Sequence, residues 1–342
     1  MMNNLVNVSL PDLTAIQMDT PVLYLDPRVL DYFLVFNMVV CGTIGILGIC
    51  GNVINILIFY RQGYNDSVNI TLTSLALSDT GALLTLQVFH VMINPWFPQT
   101  DLDINARDLV MMVSFYPHNY FIRVCGFVTA FASLERCICV VSPLRVKRII
   151  NTKTAIAINF FIFIFTALNL VPPYYIGYLD WVVFPNTNRS IVTVIYRQNP
   201  YVVFYVSYII TDLLAPYATF LIILISTSII AVKLKNQAKW RQTMVKSATN
   251  ISSKEKKTVV MLSTISIVFV VCLIPQSTIL TAMSFVPDLS YGGRYFDVTT
   301  LGYCVSYLSE TVLSSVNILV YLRMSQKYKE HFLLIFKLDG LS

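Results

Sequence analysis

The sequence predicts an all-α membrane protein: a seven-transmembrane-helix bundle with a short amphipathic helix after the seventh span. Three observations point there. Only 12% of the 342 residues are charged while 56% are apolar, whereas a soluble domain carries roughly 25% charged residues, so most side chains face something other than water. Seven apolar stretches reach the ~20 residues needed to cross a hydrocarbon core; they fall at roughly 32–60, 68–94, 108–140, 154–176, 201–233, 258–286 and 297–322. The alternation that marks barrel strands is absent, and backbone groups in lipid need partners within their own segment, so the stretches are helices.

Taken in order, residues 1–31 form a tail and 32–322 the bundle, and 323–342 form a second tail carrying the amphipathic helix. The first residues contain neither a basic leader nor a short apolar core before a cleavage site, so the first span is expected to serve as the insertion signal. Orientation follows from Lys and Arg. With the N-terminus outside, eighteen fall on the cytoplasmic side and five outside, with Arg123 inside a helix. That asymmetry satisfies the positive-inside rule and puts the C-terminus in the cytoplasm; the expected location of this multi-pass protein is the plasma membrane. The formal charge of +6 is then topology charge facing the lipid bilayer, and nucleic acid is not an expected partner.

Five N-x-S/T sequons occur, at Asn7, Asn65, Asn69, Asn188 and Asn250. Only Asn7 and Asn188 lie on the outer side and are candidates for glycosylation. The seven cysteines all sit inside or at the ends of apolar segments, which is no disulfide framework and no zinc site. Beyond the seventh span, Tyr328, Phe332, Leu333 and Phe336 share one face of a segment whose Lys327, Lys329 and Lys337 lie elsewhere. That pattern suits a helix lying along the inner leaflet.

The stretch Ser133–Lys147, SLERCICVVSPLRVK, closes the third span with Glu135 and Arg136 side by side. Pro143, Leu144 and further bases follow. A charged pair at a membrane edge with a basic turn suits a surface that a partner protein reads.

At this point the chain resembles the rhodopsin-like (class A) G-protein-coupled receptors over all seven spans. The resemblance rests on Gly51-Asn52-Val53, on Leu75 to Asp79, on Glu135-Arg136-Cys137 in the place of Asp-Arg-Tyr followed by Pro143-Leu144, and on Pro216. Phe269 to Pro275 and Asn317 to Tyr321 complete it. The nearest branch in pattern is the invertebrate chemosensory receptors, with peptide (neuropeptide) receptors close behind. The resemblance implies a receptor that binds an extracellular small molecule or peptide and activates a heterotrimeric G protein. A transporter or channel is the alternative, disfavoured because no internal repeat is visible. An enzyme is not expected: neither HExxH nor GxSxG occurs. Retinal is excluded by chemistry, since no lysine lies between Lys257 and Lys327.

The resemblance also assigns parts. Glu135, Arg136, Pro143, Leu144, Glu255, Phe269, Pro275, Asn317 and Tyr321 would form the switch and coupling face, with Arg136 held by Glu135 and Glu255 at rest. Asp79, Asn317 and Ser314 would hold a sodium ion, the one cofactor expected, or else a water-bridged structural network; Cys125 and Leu313 stand where further ligands are usual. His118, Arg123, Tyr208, Asp212, Gln276, Tyr307 and Glu310 would face the outward-opening pocket. Ionisable groups in membrane helices are costly and need an account. Two stay open for these: structural pairs such as Arg123–Asp212 and His118–Glu310, or a polar pocket for a small charged or zwitterionic ligand.

Several usual parts are replaced. Leu273 stands for Trp in the sixth span, Ile318 for Pro in the seventh, Leu224 for Tyr in the fifth, and Phe163 lies near the usual Trp of the fourth. Met111 occupies the position of the third-span cysteine, and residues 177–200 contain none. The loop after the fourth span is therefore expected to hold its place by packing alone.

Overall fold

A computed structural model describes residues 26–94, 96–97, 102–142, 150–184, 189–197, 200–243, 253–289 and 294–336. Asn7, Pro143, Leu144 and Asn188 lie outside the described residues, as does the side chain of Glu255. Among the described residues, seven helices are long and apolar enough to cross a membrane, and a short one follows the seventh.

Helix α1 (Pro27–Gln62) starts where Asp26 accepts the Arg28 N–H and Pro27 supplies a fixed φ at the first position. It stops at Gly63, whose φ of 81° suits glycine alone without strain. Helix α2 (Ser67–Ile93) is capped by Asp66 on the Val68 N–H at 3.1 Å. The third span, α3, begins as Ala106–Val110, passes through a π turn at Met111–Phe115 and continues as Tyr116–Val141.

Asn151 caps α4, which runs as Thr152–Ala167, then a 3-10 turn Leu168–Leu170, then Val171–Ile176. The fifth span, α5, repeats the device of α3: Pro200–Tyr208, a π turn at Ile209–Leu214, then Ala215–Thr243. In both helices a proline follows just beyond the widened turn, Pro117 and Pro216. A proline ring clashes with the carbonyl four residues back and leaves it without a donor, and a π turn relieves both. Helix α6 (Ser253–Phe285) carries Pro275 in its interior, α7 is Phe296–Met324 and α8 is Gln326–Phe336.

Helices α5 and α6 outrun the expected spans at their charged ends, reaching Thr243 and starting at Ser253. Hydropathy marks the stretch solvated by lipid, whereas Lys, Gln and Arg are good helix formers that extend the same helix into water.

Glycine sets two close approaches. A Cβ on Gly48 would sit 2.1 Å from Ser315 Oγ and 2.8 Å from Leu83 Cδ1, so α1 meets α2 and α7 there only because the side chain is absent. A Cβ on Gly81 would fall 2.4 Å from the Phe121 ring, which fixes how closely α3 lies on α2. Large aliphatic and aromatic residues remain exposed around the outside, among them Phe160, Phe161, Ile164 and Phe165 on α4, as a lipid-facing surface requires.

Between α4 and α5 the chain forms an antiparallel hairpin, β1 (Gly177–Phe184) and β2 (Arg189–Tyr196), in register from Gly177 opposite Tyr196 to Phe184 opposite Arg189. This hairpin corrects the expectation of a loop held by packing alone. The Asn105 N–H donates to the Val192 carbonyl at 2.8 Å and the Val192 N–H to Asp103 at 2.9 Å. Beside this, Thr193 Oγ1 and Asn105 Nδ2 both donate to Asp108 Oδ2, at 2.6 and 2.7 Å. Tyr174 adds a bond from its hydroxyl to the Met112 carbonyl at 2.5 Å. Backbone pairing and a charged acceptor thus fasten the loop to the start of α3.

Candidate functional site

At the hairpin end the helices diverge around a cavity of about 530 Å³. Helix α3 contributes one continuous face to it, Tyr116, Asn119, Tyr120 and Arg123, at spacings that a helix turns to one side. From α2 come Phe89 and His90, from α5 Tyr208, Thr211 and Asp212, and from α7 Tyr303, Cys304 and Tyr307. The lining is therefore aromatic with scattered amides and hydroxyls.

The deepest charges are paired. Arg123 Nη2 donates to Asp212 Oδ1 at 2.7 Å, and Thr211 Oγ1 donates to the other carboxylate oxygen at 2.7 Å. Arg123 Nε is buried without a hydrogen-bond partner among the described residues. A second pair lies next to the cavity without lining it: His118 Nε2 meets Glu310 Oε2 at 2.8 Å while Nδ1 meets the Ala82 carbonyl at 2.9 Å. A carbonyl can only accept, so Nδ1 carries a proton. Whichever of His118 and Glu310 holds the proton between them, the pair sums to zero charge. Tyr307 covers it edge-on, with ring centroids 5.8 Å apart.

Of the residues expected to face a pocket, Arg123, Tyr208, Asp212 and Tyr307 line the cavity, whereas His118, Gln276 and Glu310 stand behind it. Gln276 is buried and points Nε2 at Asn119 Oδ1, 3.5 Å away. The Tyr208 hydroxyl donates to the Leu280 carbonyl, tying α5 to α6. Phe89, His90, Tyr116, Asn119 and Tyr303 also line the cavity without being singled out in the sequence, since no motif marks them. The helical spacing of Tyr116 and Asn119 from Arg123 is the signal that would have found two of them. Near the mouth, burial, with Asp108 close by, pushes the Tyr196 phenol above its ordinary range, so this ring stays neutral at any physiological pH.

A polar chain runs from the middle of the bundle toward the Arg136 end. Asp79 accepts from Asn317 Nδ2 at 2.7 Å and from the Cys125 thiol at 3.5 Å. Asn52 Nδ2 donates to the Ser314 carbonyl at 2.7 Å, Asn55 donates to Asn52, and the Tyr328 hydroxyl of α8 donates to Asn55 Oδ1 at 2.5 Å. Tyr328 is thus a buried anchor that joins α8 to α1, rather than part of a face resting on lipid. Ser314 Oγ is buried beside Asp79, and Asn317 Oδ1 is buried without a hydrogen-bond partner among the described residues. With Asp79 they are the hard oxygen donors an alkali cation takes, while Cys125 and Leu313 add none. These three residues fit a sodium ion only with water completing its shell.

At the far end of α3, Arg136 Nη2 donates to Glu135 Oε1 at 2.5 Å, and Ser67 donates to the same oxygen from α2. Both charged residues are buried, and Arg136 Nε has no hydrogen-bond partner among the described residues. One turn nearer the centre, Ser133 Oγ and Ser266 Oγ meet at 2.7 Å and join α3 to α6. Phe269 fills the space left by Gly126, and Tyr321 packs edge-on against Phe59 at 5.3 Å.

The profile of the 7 transmembrane receptor (rhodopsin family) matches residues 51–313. The chain belongs to the rhodopsin family of seven-transmembrane receptors. Among curated proteins, this receptor is 25% identical to a Drosophila melanogaster FMRFamide receptor over 316 residues, covering 87% of this chain and 54% of that protein. It is 22% identical to the type-1 angiotensin II receptor B of Xenopus laevis over 320 residues, 90% of this chain and 80% of that one. The receptor thus spans about half the length of the FMRFamide receptor it matches.

Proposed function

We propose that this receptor binds an extracellular ligand in the cavity at the hairpin end and activates a heterotrimeric G protein through the Arg136 end. The N-terminus is then extracellular, the C-terminus cytoplasmic and the location the plasma membrane, in keeping with the excess of Lys and Arg at the Arg136 end. The observation that carries the reading is the separation of two sites. A cavity of about 530 Å³, within the ~300–1,000 Å³ typical of small-ligand sites, opens at one end of the bundle. A buried arginine paired with the Glu135 carboxylate stands at the other.

A short peptide is favoured over a chemosensory small molecule. Two relatives are named for peptides, and a cavity rich in tyrosines and amides suits backbone groups and aromatic side chains. The Arg123–Asp212 pair leaves no net charge on the floor, so a charged ligand end must exchange with one member of the pair. At the other end, release of Arg136 from Glu135, and from Glu255 on α6, frees it for the G protein. A sodium ion at Asp79, Ser314 and Asn317 would stabilise the resting arrangement, and Asn7 and Asn188 are the glycosylation sites of this orientation.

The test is a screen of amidated and free-acid peptides, beside small odorants, on cells carrying the receptor and a promiscuous G protein. An agonist should lose its response with Arg136→Ala at equal surface expression and shift in potency with Tyr303→Ala. A response that survives Arg136→Ala would remove the proposed coupling face. Agonist affinity that ignores sodium both in the natural protein and in Asp79→Asn would remove the sodium site.

A further inference from the structure

A second cavity of about 290 Å³ lies outside the bundle, between α4 and α5. Its outer lining is Leu168 and Pro172 from α4 with Val202, Val203, Val206 and Ile210 from α5, without a charged side chain. Three further residues, Asn169, Ser207 and Thr211, line this crevice and the main cavity alike. At this level, then, the main cavity is separated from the bilayer by one layer of small polar side chains.

The irregular turns explain why the wall is thin. Helix α4 tightens to a 3-10 turn at Leu168–Leu170 just before Pro172 and Pro173. Opposite it, α5 widens into the π turn at Ile209–Leu214. Two helices of changed radius do not interlock their ridges, and a groove remains between them. Nor is the wall bolted together. Thr211 Oγ1 spends its hydrogen bonds on its own helix, with Ser207 O at 2.9 Å and Asp212 at 2.7 Å. Among the described residues no hydrogen bond joins Asn169 to Ser207 or Thr211.

The occupant follows from the position. Leu168 is eight residues from the end of α4 at Ile176, so at 1.5 Å per residue the crevice sits ~12 Å along the helix from that end. Val202, Val206, Ile210 and Leu168 are exposed, continuous with the apolar surface that Phe161 and Phe165 present to lipid. We propose that this crevice is a lateral port that takes a single acyl chain from the leaflet at the hairpin end and lets it reach the ligand cavity past Asn169, Ser207 and Thr211. The receptor then senses a membrane amphiphile at the same cavity that takes its ligand from water. This goes beyond the peptide reading and needs only that the helices span a bilayer.

The experiment uses the full chain in nanodiscs of phosphatidylcholine carrying a diazirine near the end of one acyl chain. Irradiation is followed by digestion and mass spectrometry, with no agonist present, so the outcome is independent of ligand identity. Adducts are expected on Ser207 or Thr211 and on cavity residues such as Tyr208 and Tyr120. Val206→Trp and, separately, Ile210→Trp plug the crevice from the lipid side without touching the cavity. Either should lower the cavity adducts about tenfold, the effect of ~1.4 kcal/mol on occupancy. Adducts on Phe161 and Phe165 should be unchanged, which also reports that the variants are folded. Adducts confined to the outward residues, or cavity adducts that persist in both tryptophan variants, would overturn the port.

Discussion

Replacing Asp212 by asparagine keeps the shape of the cavity floor and removes one charge of a buried pair. Arg123 then keeps its full charge at 6% side-chain exposure with no carboxylate at 2.7 Å. Breaking a buried ion pair from one side typically costs ~3–5 kcal/mol, most of it the desolvation of the charge left behind. Asp212 is 18% exposed and borders the cavity, so water partly replaces it and the low end, ~3 kcal/mol, is the better expectation. At the ~2 °C per kcal/mol of larger domains, the melting midpoint should fall by about 6 °C.

The informative variant is the double change, Arg123→Met with Asp212→Asn, which removes both charges at similar volume. Pairs replaced together by uncharged groups are often neutral. The double variant should therefore be more stable than Asp212→Asn alone, with a coupling of ~1–3 kcal/mol across the cycle. Thiol-reactive dye unfolding of purified protein in detergent reads all four midpoints. Effects that simply add would mean that each charge is solvated independently, and the pairing account of the cavity floor would be refuted.

Asp108→Ala removes the acceptor shared by Thr193 and Asn105. Hydrogen bonds to a charged group are worth ~1.5–3 kcal/mol, so amide exchange at Val192 and Asn105 should speed up about tenfold or more, read by hydrogen–deuterium mass spectrometry. Tyr328→Phe leaves Asn55 Oδ1 without its donor and should cost ~1–3 kcal/mol, visible as a lower melting midpoint and faster proteolysis within α8; an unchanged midpoint would disprove the anchor. Glu135→Gln weakens the hold on Arg136 and should raise basal G-protein signalling at equal surface expression, and Glu255→Ala should do the same. Basal signalling at the natural level in both would count against a restrained arginine.

Hydropathy made the seven helices legible because the requirement of lipid is written in twenty-residue blocks that no local detail can mask. The charges on α3, α5 and α7 could also be singled out from sequence, since an ionisable group in a membrane helix stands alone against its background. That Arg123 meets Asp212 while His118 meets Glu310 depends on the relative rotation of three helices, and the sequence left it as one account beside another. His118, Gln276 and Glu310 drew attention as charged or polar residues, yet they do not line the cavity, whereas Tyr116, Asn119 and Tyr303 join Arg123, Tyr208, Asp212 and Tyr307 in its wall. Polarity identifies who must be paired in a low-dielectric interior; it does not say who faces the space. The hairpin was hidden for a different reason. Its strands are short apolar runs such as Ile191 to Tyr196 without period-two alternation, and the partner at Asp103 to Asn105 is some ninety residues away, a range at which pairing leaves no periodic trace.

The hairpin's fastening sets how the receptor meets thiol chemistry. None of the seven cysteines is joined in a disulfide, and the bonds among Asp108, Asn105, Asp103 and β2 contain no sulfur. Nothing that shapes the mouth of the cavity waits for an oxidase during synthesis, and a reductant has no bond there to cut. Dithiothreitol should leave ligand binding untouched, and the roof of the site should be as well formed in a reducing compartment as at the cell surface.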